Sequence, residues 1–145
     1  MFKNRKIKSF SLMELMIVVI ILGLLASLIM PNILGKGEQA KRKLVCVQFK
    51  NFSNNLKMFK ADNGKFPETE EGLKTLINNP NQNNYKNYPN GGYLSEKSIP
   101  KDPWGFEYIY VLNGKEFSLY SFGSDGKEGG SDENKDISME ECLEK

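Results

Sequence analysis

The chain has 145 residues, enough for one modest domain and one long apolar helix. It contains no histidine, which removes His-based triads and His metal sites and lowers the expectation of an enzyme. The formal net charge is +2, but Lys3, Arg5, Lys6 and Lys8 crowd into the first nine residues. The other 16 of the 20 basic residues face 18 acids, so the charge balance gives no ground for nucleic-acid binding.

Residues 12–30 are apolar apart from Glu14 and Ser27. About 20 such residues in a helix rise ~30 Å, one hydrocarbon thickness. The run is longer than the roughly 7–15 apolar residues of a secretory signal. A basic, acid-free flank stays on the cytoplasmic side and sends the C-terminal part outward. A carboxylate near the centre of such a span costs about 2.5–3.5 kcal/mol, and less near an edge. Glu14 stands two residues into the run. It reads either as an interfacial acid that snorkels or as a carboxylate that meets a cation inside an assembly. Pro31 removes a helix donor and Gly35 and Gly37 loosen the next turn, so the helix is expected to bend or partly melt over 31–37.

Ser9-Phe10-Ser11-Leu12-Met13-Glu14, behind a basic leader and ahead of an apolar helix, resembles the N-terminal segment of the type IV pilin superfamily. The resemblance implies cleavage between Ser9 and Phe10 by a prepilin peptidase, then N-methylation of Phe10. It places Glu14 at the superfamily's assembly acid and Pro31 at its helix-kinking proline. Ser9 departs from the glycine usual before the cut. Residues 1–9 are then a leader, 10–31 a transmembrane and assembly helix, and 32–145 a periplasmic head.

Beyond Gly37 the helical pattern resumes. Leu44 or Val45, then Phe49, Phe52, Leu56 and Phe59, fall at spacings of three and four, and most lysines lie off that stripe. One helix is therefore expected to about Ala61, with its aromatic stripe covered by the rest of the head. The lysines read as a solvated face. Cys46 and Cys142 form no Cys-x-x-Cys pair, which argues against zinc or thioredoxin-like chemistry. An oxidising compartment favours a Cys46–Cys142 bridge that ties the tail to the helix; the alternative is two tolerated thiols.

Gly64 and Pro67 stop the long helix. Residues 69–77 read as a short helix and 78–90, rich in Asn, Pro and Tyr, as an ordered surface loop. Residues 107–112 and 115–122 read as two strands joined by an Asn113-Gly114 hairpin. This sheet is expected to bury Phe49, Phe52, Leu56 and Phe59 against residues such as Tyr108, Tyr110, Phe117 and Leu119. The following loop gathers Asp125, Glu128, Asp132, Glu133 and Asp136 among glycines. Oxygen ligands in such a loop suit Ca²⁺, although the spacing is not an EF-hand and a solvated acidic turn fits the composition as well.

Lys60-Ala-Asp-Asn-Gly-Lys-Phe-Pro67, Thr69-Glu-Glu-Gly-Leu73, Tyr88-Pro-Asn-Gly-Gly-Tyr93, Pro100-Lys-Asp-Pro-Trp-Gly105 and Tyr120-Ser-Phe-Gly-Ser-Asp-Gly126 occur in that order, with Asp136-Ile137 downstream. In these the chain resembles the major pseudopilins of type II secretion systems. The tail, Ser138-Met-Glu-Glu-Cys142, departs from the Gly-Asn-Trp common there. The resemblance implies an α+β, type IV pilin-like fold: a long N-terminal helix with a membrane-spanning first half, a small antiparallel sheet and a C-terminal calcium loop. It implies a structural Ca²⁺ held by Asp125, Asp136 and Asp132, with backbone carbonyls near Phe122 and Ser131. It also implies a non-enzymatic subunit, single-pass in the inner membrane, that forms a helical homo-oligomeric filament with minor pseudopilins. An assembly platform, a secretion ATPase and an outer-membrane secretin would be its further partners. A pilin of a type IV or DNA-uptake fibre is the alternative.

Overall fold

The computed structural model describes residues 10–144, the side chains of residues 29–34 excepted. Ser9 and the leader lie outside the described residues, as does the side chain of Pro31. Helix α1 runs Leu12–Asn63, 52 residues, without interruption at Pro31, Gly35 or Gly37. The partial melting expected there is thus corrected. A proline deletes one hydrogen bond, and the bonds on either side of the gap keep the helix continuous. Gly64, at φ 82°, ends the helix, its N–H donating to the Lys60 carbonyl at 2.8 Å. Only glycine takes that left-handed conformation cheaply.

The chain divides into two compact units, one ending at Glu38 and one beginning at Gln39. In the first, the described residues are helical from Leu12, and their side chains from Leu12 to Leu28 are exposed. Among the described residues no helix is long and apolar enough to cross a membrane; the described apolar side chains stop at Leu28.

The second unit is built on the outer half of α1. Val45, Phe49, Phe52, Leu56 and Phe59 are completely buried, one stripe at helical spacing. Val45, not Leu44, begins the stripe: Leu44 remains 58% exposed. Strands β1 (Ile109–Asn113), β2 (Glu116–Ser121) and β3 (Ile137–Ser138) form an antiparallel sheet in that order. Tyr108, just before β1, meets Phe49 and Phe52 edge-on at centroid distances of 5.6 and 5.2 Å. Leu119 and Ile137 complete the buried layer, and Phe117, half-buried, packs on Phe66 and Tyr110. Burial, reinforced by the charge of Asp102, pushes the Tyr108 phenol up to about 12.

Two local expectations change, and a third strand is added. Residues 69–77 form only a 3₁₀ turn, Leu73–Leu76, because Gly72 at φ 61° interrupts the helical path. The hairpin loop is Gly114-Lys115 instead of Asn113-Gly114, since Asn113 pairs with Glu116. Gly114 alone has positive φ, the arrangement of a type II′ turn, which wants glycine first. The third strand, β3, has only two residues, too few to show an alternating pattern in sequence.

The 78–93 loop is ordered by its aromatic side chains. Tyr85 and Tyr93 sit edge-on against Phe59 at 4.8 and 5.4 Å. The Tyr85 hydroxyl bonds Glu71, and that of Tyr88 donates to the Thr75 carbonyl at 2.7 Å. Tyr93 donates to Asp62 at 2.9 Å; burial first, then this bond, pushes its phenol up to about 12.

Candidate functional site

Two places carry the candidate residues. At the start of α1, Phe10 is 81% exposed. The Glu14 N–H donates to Ser11 Oγ at 3.3 Å, and the Ser11 N–H donates to Glu14 Oε2 at 3.2 Å. This reciprocal pair is a capping box: it satisfies two donors that a helix start leaves open and sets a negative charge at the positive end of the helix dipole. Glu14 is therefore a helix-capping acid as well as a candidate for snorkelling or for a cation inside an assembly. The Ser-x-x-Glu spacing ahead of an apolar run was the available signal for the cap.

The second place is the C-terminal loop. Two 3₁₀ turns, Gly123–Asp125 and Asp132–Asn134, are stitched together by Ser124 Oγ, which donates to the Glu133 carbonyl at 3.2 Å and lies 2.6 Å from Asn134 Oδ1. Asp125 Oδ1 accepts the Lys127 N–H at 3.1 Å, and Asp136 Oδ2 accepts the Gly129 N–H at 2.8 Å. Asp136 Oδ1 is buried and has no donor. Asp132 opens the second turn at φ 53° and is exposed. Phe122 and Ser131 precede the two turns, and the Ser131 carbonyl already accepts the Asn134 N–H at 3.0 Å. Among the described residues no group of three or more His, Cys, Asp or Glu side chains is placed to hold a metal ion. Asp125, Asp132 and Asp136 thus share the loop without forming a ready carboxylate cluster. In this loop the orphaned Asp136 Oδ1 fits a cation, since a buried carboxylate oxygen without a donor is costly.

Both ends of this loop are anchored. On the far side, the short helix α2 (Met139–Leu143) is capped by Ser138, whose Oγ accepts the Glu141 N–H at 3.3 Å. Cys142 on α2 is bonded to Cys46 on α1, with Cα atoms 5.4 Å apart and 96 residues of separation. The thiols are therefore a bridge. Arg42 Nη1 donates to the Lys135 carbonyl at 2.9 Å beside it. On the near side stands Asp102, only 4% exposed. Its carboxylate accepts from the Ser121 hydroxyl at 2.7 Å and from the N–H groups of Phe106 and Trp104 at 2.8 and 3.1 Å. The Asp-Pro-Trp-Gly block is thus a folded turn whose aspartate props the end of β2, where the loop begins. This role leaves no local mark in the sequence, because the partner Ser121 is 19 residues away.

Comparison with known proteins follows the same lines. The family model for the type II secretion system protein G matches residues 32–140, and the prokaryotic N-terminal methylation motif matches residues 4–30. The chain is 41% identical over 137 residues to the type II secretion system core protein G of Vibrio cholerae, covering 93% of this chain and 92% of that one. It is 43% identical over 138 residues to the Pseudomonas aeruginosa protein of the same name, covering 93% and 96%. It is similar to the crystal structure of the major pseudopilin from the type 2 secretion system of enterohaemorrhagic Escherichia coli, with TM-score 0.62 and 30% identity over 72% of this chain and 86% of that one. With the methylation motif, these matches make the chain a membrane-anchored periplasmic subunit that is structural, not enzymatic. A capped apolar helix, an aromatic-striped outer half and a small antiparallel sheet, on a sequence matched by its relatives over 93% of its length, place the chain in the type II secretion system protein G family, that of the major pseudopilins.

Proposed function

We propose that the chain is the repeating subunit of a periplasmic pseudopilus whose growth drives folded proteins through an outer-membrane secretin. The observation that carries this is the row of side chains from Leu12 to Leu28, apolar almost all round and exposed. A helix apolar on every side needs lipid or sibling helices about it. In the membrane, lipid surrounds it; in a filament, the same residues of neighbouring copies replace lipid, so no apolar surface meets water at either stage.

On this reading residues 1–9 remain cytoplasmic, the helix crosses the inner membrane once, and a prepilin peptidase cuts between Ser9 and Phe10 before N-methylation. The new amine of Phe10 is then a partner for the Glu14 carboxylate of a neighbouring copy and sets axial register. Minor pseudopilins, an assembly platform and a secretion ATPase act on it. The Asp136 carboxylate, with Asp125, Asp132 and carbonyls near Phe122 and Ser131, would hold a structural Ca²⁺. The ion would neutralise the loop's mutually repelling acids.

Deleting the chain from its own cell should leave exoproteins trapped in the periplasm and DNA uptake unchanged; normal secretion would refute the assignment. Mass spectrometry of the native protein should find an N-terminus at methylated Phe10. Calcium should raise the melting temperature of the protein, and Asp136→Asn should abolish that rise.

A further inference from the structure

Between Gln39 and Ala61, helix α1 carries Lys41, Arg42, Lys43, Lys50, Lys57 and Lys60 and no acid. Lys43, Lys50 and Lys57 recur every seven residues, so they stand in one line that drifts only ~20° per step. All three are exposed, and none forms an ion pair or hydrogen bond with another described residue. The helix surface beside them carries no acid: Asn51 and Asn54 are exposed, and Val47 and Met58 are 66% and 58% exposed. This is the side of the helix turned away from Val45, Phe49, Phe52, Leu56 and Phe59, which the sheet and loops cover.

The opposite charge is concentrated in the C-terminal segment of the same head, whose Glu141 lines a cleft with Lys43, about two helical turns before Lys50. Residues 123–144 contain eight acids against Lys127 and Lys135. Glu128, Glu133, Glu140 and Glu144 are exposed and have no cation among the described residues; Glu141 alone is paired, with Lys135 at 2.6 Å. The disulfide to Cys46 and the Arg42 bond hold this acidic surface in place.

We infer that the Lys43–Lys50–Lys57 line of one copy docks on the acidic C-terminal surface of a second copy. The two surfaces are different patches of one chain, so the contact is heterologous. It propagates from copy to copy instead of closing as a two-fold dimer. Each copy supplies both halves in equal number, so no other partner is required. Complementary charge of this kind fixes register and orientation more than it adds affinity, and it acts over a Debye length of ~8 Å at physiological salt. A nucleic acid or an anionic lipid surface could meet the same lysines, but the chain's overall charge is nearly balanced, so no strong long-range attraction draws either one in. The inference rests on the polymerising reading above.

The test uses the full chain produced with its secretion machinery. Lys50→Glu with Lys57→Glu should cut filament yield about tenfold or more, as should Glu133→Lys with Glu140→Lys, because each sets like charges together. Thermal unfolding of both variants should stay near that of the parent chain. Combining all four substitutions should restore most of the yield. If the reversed-charge heads unfold, Lys50→Gln with Lys57→Gln replaces them, and its assembly should lose its dependence on salt. Parent-like filaments from either pair, or no recovery in the combination, would overturn the docking. So would duplex DNA or phosphatidylglycerol vesicles bound through Lys50 and Lys57 with filament yield unmoved. A parent chain that forms no filament overturns the polymerising reading as well, which distinguishes the two failures.

Discussion

Helix α1 is one element with two chemistries. Over residues 12–28 it is apolar nearly all round and exposed throughout; over residues 45–59 it is apolar on a single stripe and that stripe is completely buried. The first stretch leaves its solvation to other molecules. The second folds its own cover from the same chain, a three-stranded sheet and an aromatic loop. A change in the buried stretch therefore registers as stability, and a change in the exposed stretch as membrane residence or assembly.

Substitutions in the two stretches should separate these readouts. Phe52→Ala removes a completely buried ring that packs on Tyr108 and should cost about 3–5 kcal/mol, read as a large fall in the denaturant midpoint of the head. Leu22→Ala, at a 59% exposed position, should leave that midpoint unchanged; an equal fall would end the distinction. Next in size, reducing the Cys46–Cys142 bridge, or Cys46→Ser, frees a loop of 96 residues. That should cost about 2–5 kcal/mol, seen as a lower melting temperature in reductant that the serine variant reproduces.

A smaller, pH-dependent effect belongs to the head, where Tyr108 packs on the buried stretch. The Tyr108 phenol titrates near 12 in the folded head and near 10 in the unfolded chain. The folded form holds its proton longer, so the stabilisation is full below pH 10 and is lost as pH rises toward 12. Chemical denaturation across that range should show the decline, and Tyr108→Phe should lessen it; the remainder belongs to Tyr85, Tyr88, Tyr93 and Tyr110, whose phenols burial also raises. Glu14→Ala should have the least effect on the head: the capping box is worth ~1 kcal/mol at the far end of the helix, so the melting temperature should not move. Filament yield should nonetheless drop, and unimpaired filaments would remove the register role proposed for Glu14.

Much of the fold was legible because it rests on periodicity. Phe49, Phe52, Leu56 and Phe59 announce a buried helix face, and the strands on either side of Gly114 announce a hairpin. The cap at Gly64 was legible for the same local reason, a glycine where a helix must turn left-handed. The capping box was written in Ser11 and Glu14 but was obscured by the rarity of an acid in an apolar run. Asp102 was not legible as a prop, since its role depends on meeting Ser121.

The amino-acid sequence by itself determined the elements whose causes lie within a few residues: the length of α1, its apolar first half, its buried stripe and its glycine stop. Only the tertiary structure decided that Cys46 meets Cys142, that Asp102 supports the end of β2, that β3 joins the sheet and that Asp136 keeps a buried oxygen without a donor. Those outcomes join residues distant along the chain or leave an atom unmatched inside a fold. Spacing along a sequence carries no record of either until the chain has closed on itself.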